Sequence, residues 1–549
     1  MTINFRGSAR TPSYRPWIVP ACFLALVAVA VLFFDLSRVP AFNDDFVYRW
    51  SVTHVFQDHR LRMFPEDSAL PYVQIVWSSL LSFGNSDPRI LRLTLWPFFA
   101  LLGVMIYLSA KECGAQRAVS LLATASLLCN PIVLNLASSY MADVCFLALE
   151  ATCIFAALRW SRTGRGGVWL IVAASLPAMQ RQPGAALILG IVVAAFFLYR
   201  RGKLNRRQLL TLALALALPV AALAAALTAS STNVVAIKRI NLLGLTQAWH
   251  AAFLIWPMVG FVCLPVLAVS PSTGKRGTAT RRIVLYGAIV ILFGVIAVQL
   301  QRAVFNLIPG DYLGPSGLGP PQIGGTKPVV FQPLLLLPLL AAAGFAAWAE
   351  AVTIARHLSL PMRAPAVILV AFAGSQALVL AVSGISDRYY LPVAVPLVIL
   401  VAGRIGTMGS RASALRVAVV LALLVGWLYL PGEQDYEAWQ GARLAAAQLA
   451  YSISSPSRVD AGYELNGLYW ELPIYDATGT LPPRDPESQF SHAFIGPPCI
   501  DWKVYVVRPA DPRSGFPYAS VAPGKVIVAP APFEHPRCED GSSMPTAPP

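Results

Sequence analysis

A 549-residue chain with 56% hydrophobic side chains, 13% charged ones and a mean hydropathy of +0.61 carries too little charge to cover a soluble surface of its size. Its net charge of +15 would suit a polyanion binder, but the cations concentrate in short segments between long apolar runs. Composition therefore excludes a soluble nucleic-acid-binding protein and predicts an all-α polytopic membrane protein.

After a short segment, residues 1–16, the first apolar run is Trp17–Phe34. A spanning helix needs roughly 20 mostly apolar residues at ~1.5 Å rise each. No small-residue cleavage site follows this run, so it is expected to stay in the mature chain as a span. Further spans are predicted near 92–110, 118–136, 143–159, 167–180, 184–199, 208–229, 252–270, 283–301, 332–350, 364–383, 390–403 and 415–431, about thirteen in all. Leu70–Phe83 is too short to cross and reads as a helix lying on the membrane surface.

With thirteen spans, seven segments would face the cytoplasm, and these hold 22 of the 42 Lys and Arg. The positive-inside rule then places the N-terminus in the cytoplasm and the tail outside a bacterial-type plasma (inner) membrane. Beyond Pro431 the composition changes. A helical pattern at Asp435–Ile453 precedes β-like runs at Ser457–Ala461, Trp502–Arg508 and Gly524–Ala529. The expected division is a membrane domain over 17–431, a small extracytoplasmic α/β domain over 432–538 and a disordered tail over 539–549. Cys499 and Cys538 lie in that outer domain and could close one disulfide.

The outward segments carry the chemistry. The first outer loop, residues 36–91, opens on Asn43-Asp44-Asp45, followed by Tyr48, Arg49 and His54. Phe46, Trp50, Val52 and Val55 fall on one side of an interfacial helix. Asp143 starts the fourth span, Gln180-Arg181-Gln182-Pro183-Gly184 forms the third loop, Tyr312 lies in the fifth, and Ser386-Asp387-Arg388-Tyr389-Tyr390 forms the sixth. Acids from separate loops among arginines at one membrane face suit an anionic amphiphile and an acidic catalyst. The cations would hold a phosphate while a carboxylate takes a proton from a hydroxyl. Each residue also has a plainer use. Asn-Asp-Asp is a good helix start, Asp143 could cap its span, and Arg388 with two tyrosines could be an interfacial anchor. His54, His59 and His250 share no ligand spacing, and Glu150, inside the fourth span, is expected to be paired within the bundle.

The order of these pieces resembles the GT-C superfamily of polyprenyl-phosphate-sugar glycosyltransferases, in the branch of protein O-mannosyltransferases and the lipid A aminoarabinose transferase. The resemblance runs from Asp44-Asp45 with Tyr48, through Leu70-Pro71-Tyr72-Val73-Gln74-Ile75-Val76-Trp77 and Arg89-Ile90-Leu91-Arg92-Leu93, to Asn130-Pro131, Asp143 and Arg388-Tyr389-Tyr390-Leu391-Pro392. It implies a polyprenyl-phosphate sugar donor, a lipid, polysaccharide or protein acceptor, and inverting displacement at the anomeric carbon. Asp44 would match the catalytic acid and Asp143 the second-loop acid. Asp45 stands where the family has Glu, which leaves open which of the pair is the base. Ala69-Leu70 replaces a cation before the surface helix, so Arg181, Arg388 and Arg49 become the candidates for donor phosphate, with Tyr48, Tyr389, Tyr312 and His54 in the substrate loops. The residues specify no cofactor and leave the need for a divalent ion open. Some distant members use a metal, and Asp44, Asp45 and Asp143 offer hard oxygens for a divalent cation such as Mg or Mn. A transporter, flippase or lipid-linked-polymer ligase would share the topology, but the acids gather at span ends and not at the bilayer midplane.

Overall fold

The computed structural model describes residues 44–64, 69, 71–229, 245–269, 313–314, 317–318, 333–358, 364–383, 387–408, 412–481, 502–507, 516–518 and 524–530. The predicted spans at 17–34 and 283–301, the segments 1–16 and 539–549, and Tyr312, Cys499 and Cys538 lie outside the described residues. Helices dominate the rest. Leu- and Ala-rich runs are good helix formers, and in lipid a helix satisfies its own backbone hydrogen bonds.

The described part of the segment expected as the first outer loop contains α1 (Asp45–Asp58) and α2 (Tyr72–Ser82). In α2 the polar Gln74, Ser78, Ser79 and Ser82 are buried, while Val76, Leu80 and Leu81 face outward, with Phe83 beyond them. A helix with its polar side against protein and its apolar side exposed is one that faces lipid. A turn of helix, α3 (Pro88–Leu93), leads into α4 (Trp96–Glu112). Together Pro88–Glu112 is long and apolar enough to cross a membrane, as is Arg388–Gly406.

The span expected at 118–136 is corrected. It is two helices, α5 (Arg117–Leu128) and α6 (Pro131–Ser138), bent by 63°. Pro131 has no N–H for the preceding turn, and the Asn130 side chain accepts from Ile132 N at 3.0 Å to start a new helix. Next come α7 (Ala142–Thr163), α8 (Gly167–Ala178), α9 (Gly184–Arg200), α10 (Arg206–Ala229) and α11 (Leu245–Val269). The 12 residues of α8 reach only about 18 Å, short of a hydrocarbon core of roughly 30 Å. Thirteen full-length spans are thus more than the described helices show. Beyond a two-residue-per-strand hairpin, β1 (Leu313–Gly314) and β2 (Gly317–Leu318), lie α12 (Pro333–Leu358), α13 (Ala364–Ser383) and α14 (Leu391–Met408).

Two contacts show how the bundle is aligned. Arg162 near the end of α7 pairs with Glu112 at the end of α4 at 2.9 Å, so these two helices finish together. The end of α14 lies on the same turn, since a Cβ added at Gly406 would sit 2.5 Å from Ala115 Cα. Small residues let these backbones approach closely. The opposite ends of α4, α7 and α14 therefore also lie together.

Helix α15 (Ala412–Ile453) has 42 residues, about 63 Å, and runs unbroken through Pro431. The composition change there falls inside a helix. The separate helix expected from Asp435 is the continuation of the preceding span. After it come β3 (Val459–Asp460), α16 (Tyr463–Asn466), α17 (Leu472–Thr478), β4 (Trp502–Val507), β5 (Phe516–Tyr518) and β6 (Gly524–Pro530). The sheet order is β3-β4-β6-β5, with β3 parallel to β4 and the other pairs antiparallel. Arg443 of α15 is buried, donating to Ala461 O at 2.8 Å and to Glu464 at 2.9 Å. Asp460 pairs with Lys503 at 3.1 Å. Burial alone would raise its pKa, but Lys503 and the donors Asn466 Nδ2 and Gly462 N outweigh that and hold it below the ordinary carboxylate value.

Candidate functional site

Helix α7 opens with Asp143 in its first turn, and Asp143 does not cap it: Met141 occupies the cap position with no side-chain bond. The Asp143 carboxylate instead meets two guanidiniums. Arg181 pairs with Oδ1, and Arg388 Nη1 lies 3.6 Å from Oδ2. Arg181 is aimed inward by a tight turn between α8 and α9, in which its N–H bonds Pro177 O at 3.1 Å. Gly184 makes that turn possible, because a Cβ there would stand 2.2 Å from the Pro177 oxygen. Arg388 comes from the 3-10 turn Asp387–Tyr390 that leads into α14. Both guanidiniums cover the Tyr389 ring, at 5.4 and 5.3 Å from its centroid.

One carboxylate facing two guanidiniums leaves a net positive charge, and all three side chains are at least nine-tenths buried. Burial pulls the Arg181 pKa down, yet Asp143, Tyr389 and Tyr48 more than offset it and hold it above the ordinary value. The influence of Tyr48 also brings α1 to this cluster. The arrangement can attract an anion.

At the start of α1 the acid pair divides. Asp45 is fully buried, with Arg92 Nη2 at 2.8 Å from Oδ2. Asp44 occupies the cap position without a side-chain cap bond and is half-buried. The capping role open to this acid from sequence is therefore not the one its side chain takes. Arg49, one turn further along α1, donates Nε–H to Ser86 O at 3.2 Å. Burial and the neighbouring Arg92 lower its pKa against the pull of Asp45 and Asp87.

A pair of buried glutamines ties these pieces together. Gln180 accepts from Gln74 N at 3.0 Å and donates to Gln74 Oε1 at 3.1 Å and to Ala142 O at 3.2 Å. Gln74 donates in turn to Tyr140 O at 3.0 Å. The amides thus connect α2, the segment before Asp143 and the residue before Arg181. Tyr140 lies within electrostatic reach of Asp45, which joins the two ion-pair groups.

Of the residues singled out by sequence, Asp143, Arg181, Arg388 and Tyr389 converge, Tyr48 lies within electrostatic reach of Arg181, and Asp45 is linked to them through Tyr140. His54 is placed elsewhere. Its ring stacks on Trp50 at 3.9 Å between centroids, and Nε2 lies 3.5 Å from Asp476 of α17. Trp50 Nε1 also donates to Asp476, at 2.5 Å, so this end of α1 serves the tail. Glu150 lies within the bundle and accepts from Gln376 Nε2 at 3.3 Å. Sequence reasoning missed Arg92, Gln74 and Gln180. Their signal was a polar residue within an otherwise apolar stretch, such as Tyr72-Val73-Gln74-Ile75-Val76-Trp77. Among the described residues no three His, Cys, Asp or Glu converge, and Asp45 and Asp143 are held by different arginines.

No protein-family model and no curated protein sequence matches the chain. Among solved structures it is similar to ArnT from Cupriavidus metallidurans bound to undecaprenyl phosphate, at 15% identity and TM-score 0.41, over 92% of this chain and 97% of that one. The apo state of the same protein gives 16% identity and TM-score 0.40 over the same shares. Likeness at that level assigns no residue a role. Composition and the two crossing helices make this chain an integral membrane protein.

Proposed function

We propose that this chain is a GT-C-type membrane glycosyltransferase, moving a sugar from a polyprenyl-phosphate donor to a hydroxyl acceptor at the extracytoplasmic face. The observation that carries the reading is the buried, net-cationic Asp143–Arg181–Arg388–Tyr389 cluster at one end of a bundle whose flanks are apolar, approached by Tyr48 of the helix that Asp44 opens. A lipid phosphate enters such a site from the side, with its hydrocarbon remaining among the helices. Arg181 and Arg388 would neutralise the phosphate as the sugar–oxygen bond breaks and the leaving group takes the electron pair. Asp44 would take the proton of the attacking hydroxyl. It is preferred because it is half-buried, whereas Asp45 is fully buried against Arg92 and Asp143 lies buried against two guanidiniums. Tyr48 and Tyr389 would border the sugar. Attack opposite the leaving phosphate inverts the anomeric centre. In this reading the N-terminus is cytoplasmic and the sheet-bearing tail is outside.

The test is transfer of labelled sugar from polyprenyl-phosphate hexose or pentose in vesicles. Asp44→Asn should lower the rate by roughly 10²–10⁴-fold with an unchanged melting temperature. Arg388→Gln should weaken donor binding more than it slows turnover. Undiminished transfer by Asp44→Asn removes this base, and undiminished transfer by Asp44→Asn/Asp45→Asn removes the enzyme.

A further inference from the structure

Away from the acid–arginine cluster, α9 and α13 border a cavity of about 500 Å³. Leu189, Phe197 and Arg201 line it from one side, and Ala371, Gly374 and Leu378 from the other. The two helices meet closely at Gly190, where an added Cβ would stand 2.9 Å from both Phe372 and Ser375. They part around Gly374, where an added Cβ would meet nothing within 4 Å. The groove opens outward, because Leu189, Phe197 and Leu378 are exposed.

Its two ends differ. From Leu189 to Arg201 the wall is apolar for about 18 Å of helix, close to one leaflet of a hydrocarbon core roughly 30 Å thick. It ends on Arg201, within the acid-free run Arg200-Arg201-Gly202-Lys203-Leu204-Asn205-Arg206, in which Arg200, Arg201, Lys203 and Arg206 are all exposed. We propose that this groove binds one anionic phospholipid from the leaflet on the arginine-rich side, its acyl chain along α9 and α13 and its phosphate at Arg201. The apolar length takes the chain, and a guanidinium at the mouth matches a phosphate in charge and in donor geometry. Arg201 and Arg181 flank opposite ends of α9, which is 17 residues or about 26 Å long. The lipid is therefore distinct from any ligand held by Arg181, and the proposal does not depend on sugar transfer.

Native mass spectrometry of the detergent-purified full chain, titrated with phosphatidylglycerol or phosphatidylcholine, tests it. The unaltered chain should retain one phosphatidylglycerol in preference to phosphatidylcholine. Arg201→Gln should lower that preference by about fivefold, the worth of one arginine near an anionic surface. Gly374→Trp, which fills the groove, should reduce retention of both lipids, whereas Val192→Trp, on the exposed face of α9 outside the groove, should not. Equal retention of the two lipids by the unaltered chain overturns the proposal, as does unchanged binding by Gly374→Trp. Should Gly374→Trp not yield folded protein, Ala371→Phe blocks the same groove and is read in the same way.

Discussion

Acid–arginine pairs occur at both ends of the bundle, with nearly the same geometry and different surroundings. At the end where α4 and α7 finish, Glu112 and Arg162 meet at 2.9 Å, but the Arg162 side chain is 61% exposed. At the site end, Asp45 and Arg92 meet at 2.8 Å with at most 1% exposure. Water and salt screen the first pair, while the second lies out of reach of solvent. Distance alone does not set the worth of an ion pair. The Asp45–Arg92 pair has been sealed from solvent, which is also what a pre-organised anion site requires.

The comparison breaks most severely at Arg92. Arg92→Met leaves the Asp45 carboxylate without its buried cation and should cost about 3–5 kcal/mol, seen as a large fall in melting temperature in detergent. Arg92→Met with Asp45→Asn should recover much of that loss. An unchanged melt in the single variant would show that the site end is no more sealed than the other.

The glutamine pair should matter less. Gln74→Leu or Gln180→Leu strands buried partners and should cost about 1–3 kcal/mol each, and the double variant should cost less than the sum. Additive losses would mean that the amides do not act as one knot.

In the tail, Asp460 gives a pH-dependent counterpart. Its folded pKa is lowered by Lys503, Asn466 and Gly462 against the effect of burial, so its contribution is complete above the unfolded carboxylate value of about 4. That contribution fades as pH falls through the lower folded value. Asp460→Asn should therefore destabilise the tail near neutral pH by about 1 kcal/mol and flatten its acid limb, measured by limited proteolysis against pH. An acid limb unchanged by the substitution would assign it to other carboxylates.

The smallest effect belongs to Arg162→Gln, expected at no more than about 1 kcal/mol and shrinking further in high salt. A loss as large as that of Arg92→Met would erase the contrast between the two pairs.

Much of the site could be read from the chain. Asp143, Arg181, Arg388 and Tyr389 stand out because charged residues are scarce and hydropathy assigns them to loops on one face. Arg92 escaped for the same reason: a cation at the start of an apolar run reads as an interfacial anchor, and only its burial against Asp45 shows otherwise. His54 was placed with the substrate loops because it follows Asp44 closely, but its position along α1 turns it toward Asp476. The bend at Asn130-Pro131 was spelled out in residues known to restart helices, and an averaged hydropathy window passes over it. Pro431 misled in the opposite direction. It suggested a boundary, and α15 continues through it.

Composition and local pattern were sufficient for the membrane class, the helical content, the β-forming runs of the tail and the loops that hold ionisable groups. Those properties are sums over neighbouring residues, so the order of residues along the chain is enough to fix them. Which acid of the pair stays accessible, which arginine seals the other and where the helices part into a groove were decided only by packing. Asp45 and Arg92 are 47 residues apart, and their meeting depends on how α1 is rotated against the helix beginning at Pro88, a long-range outcome that no local window contains.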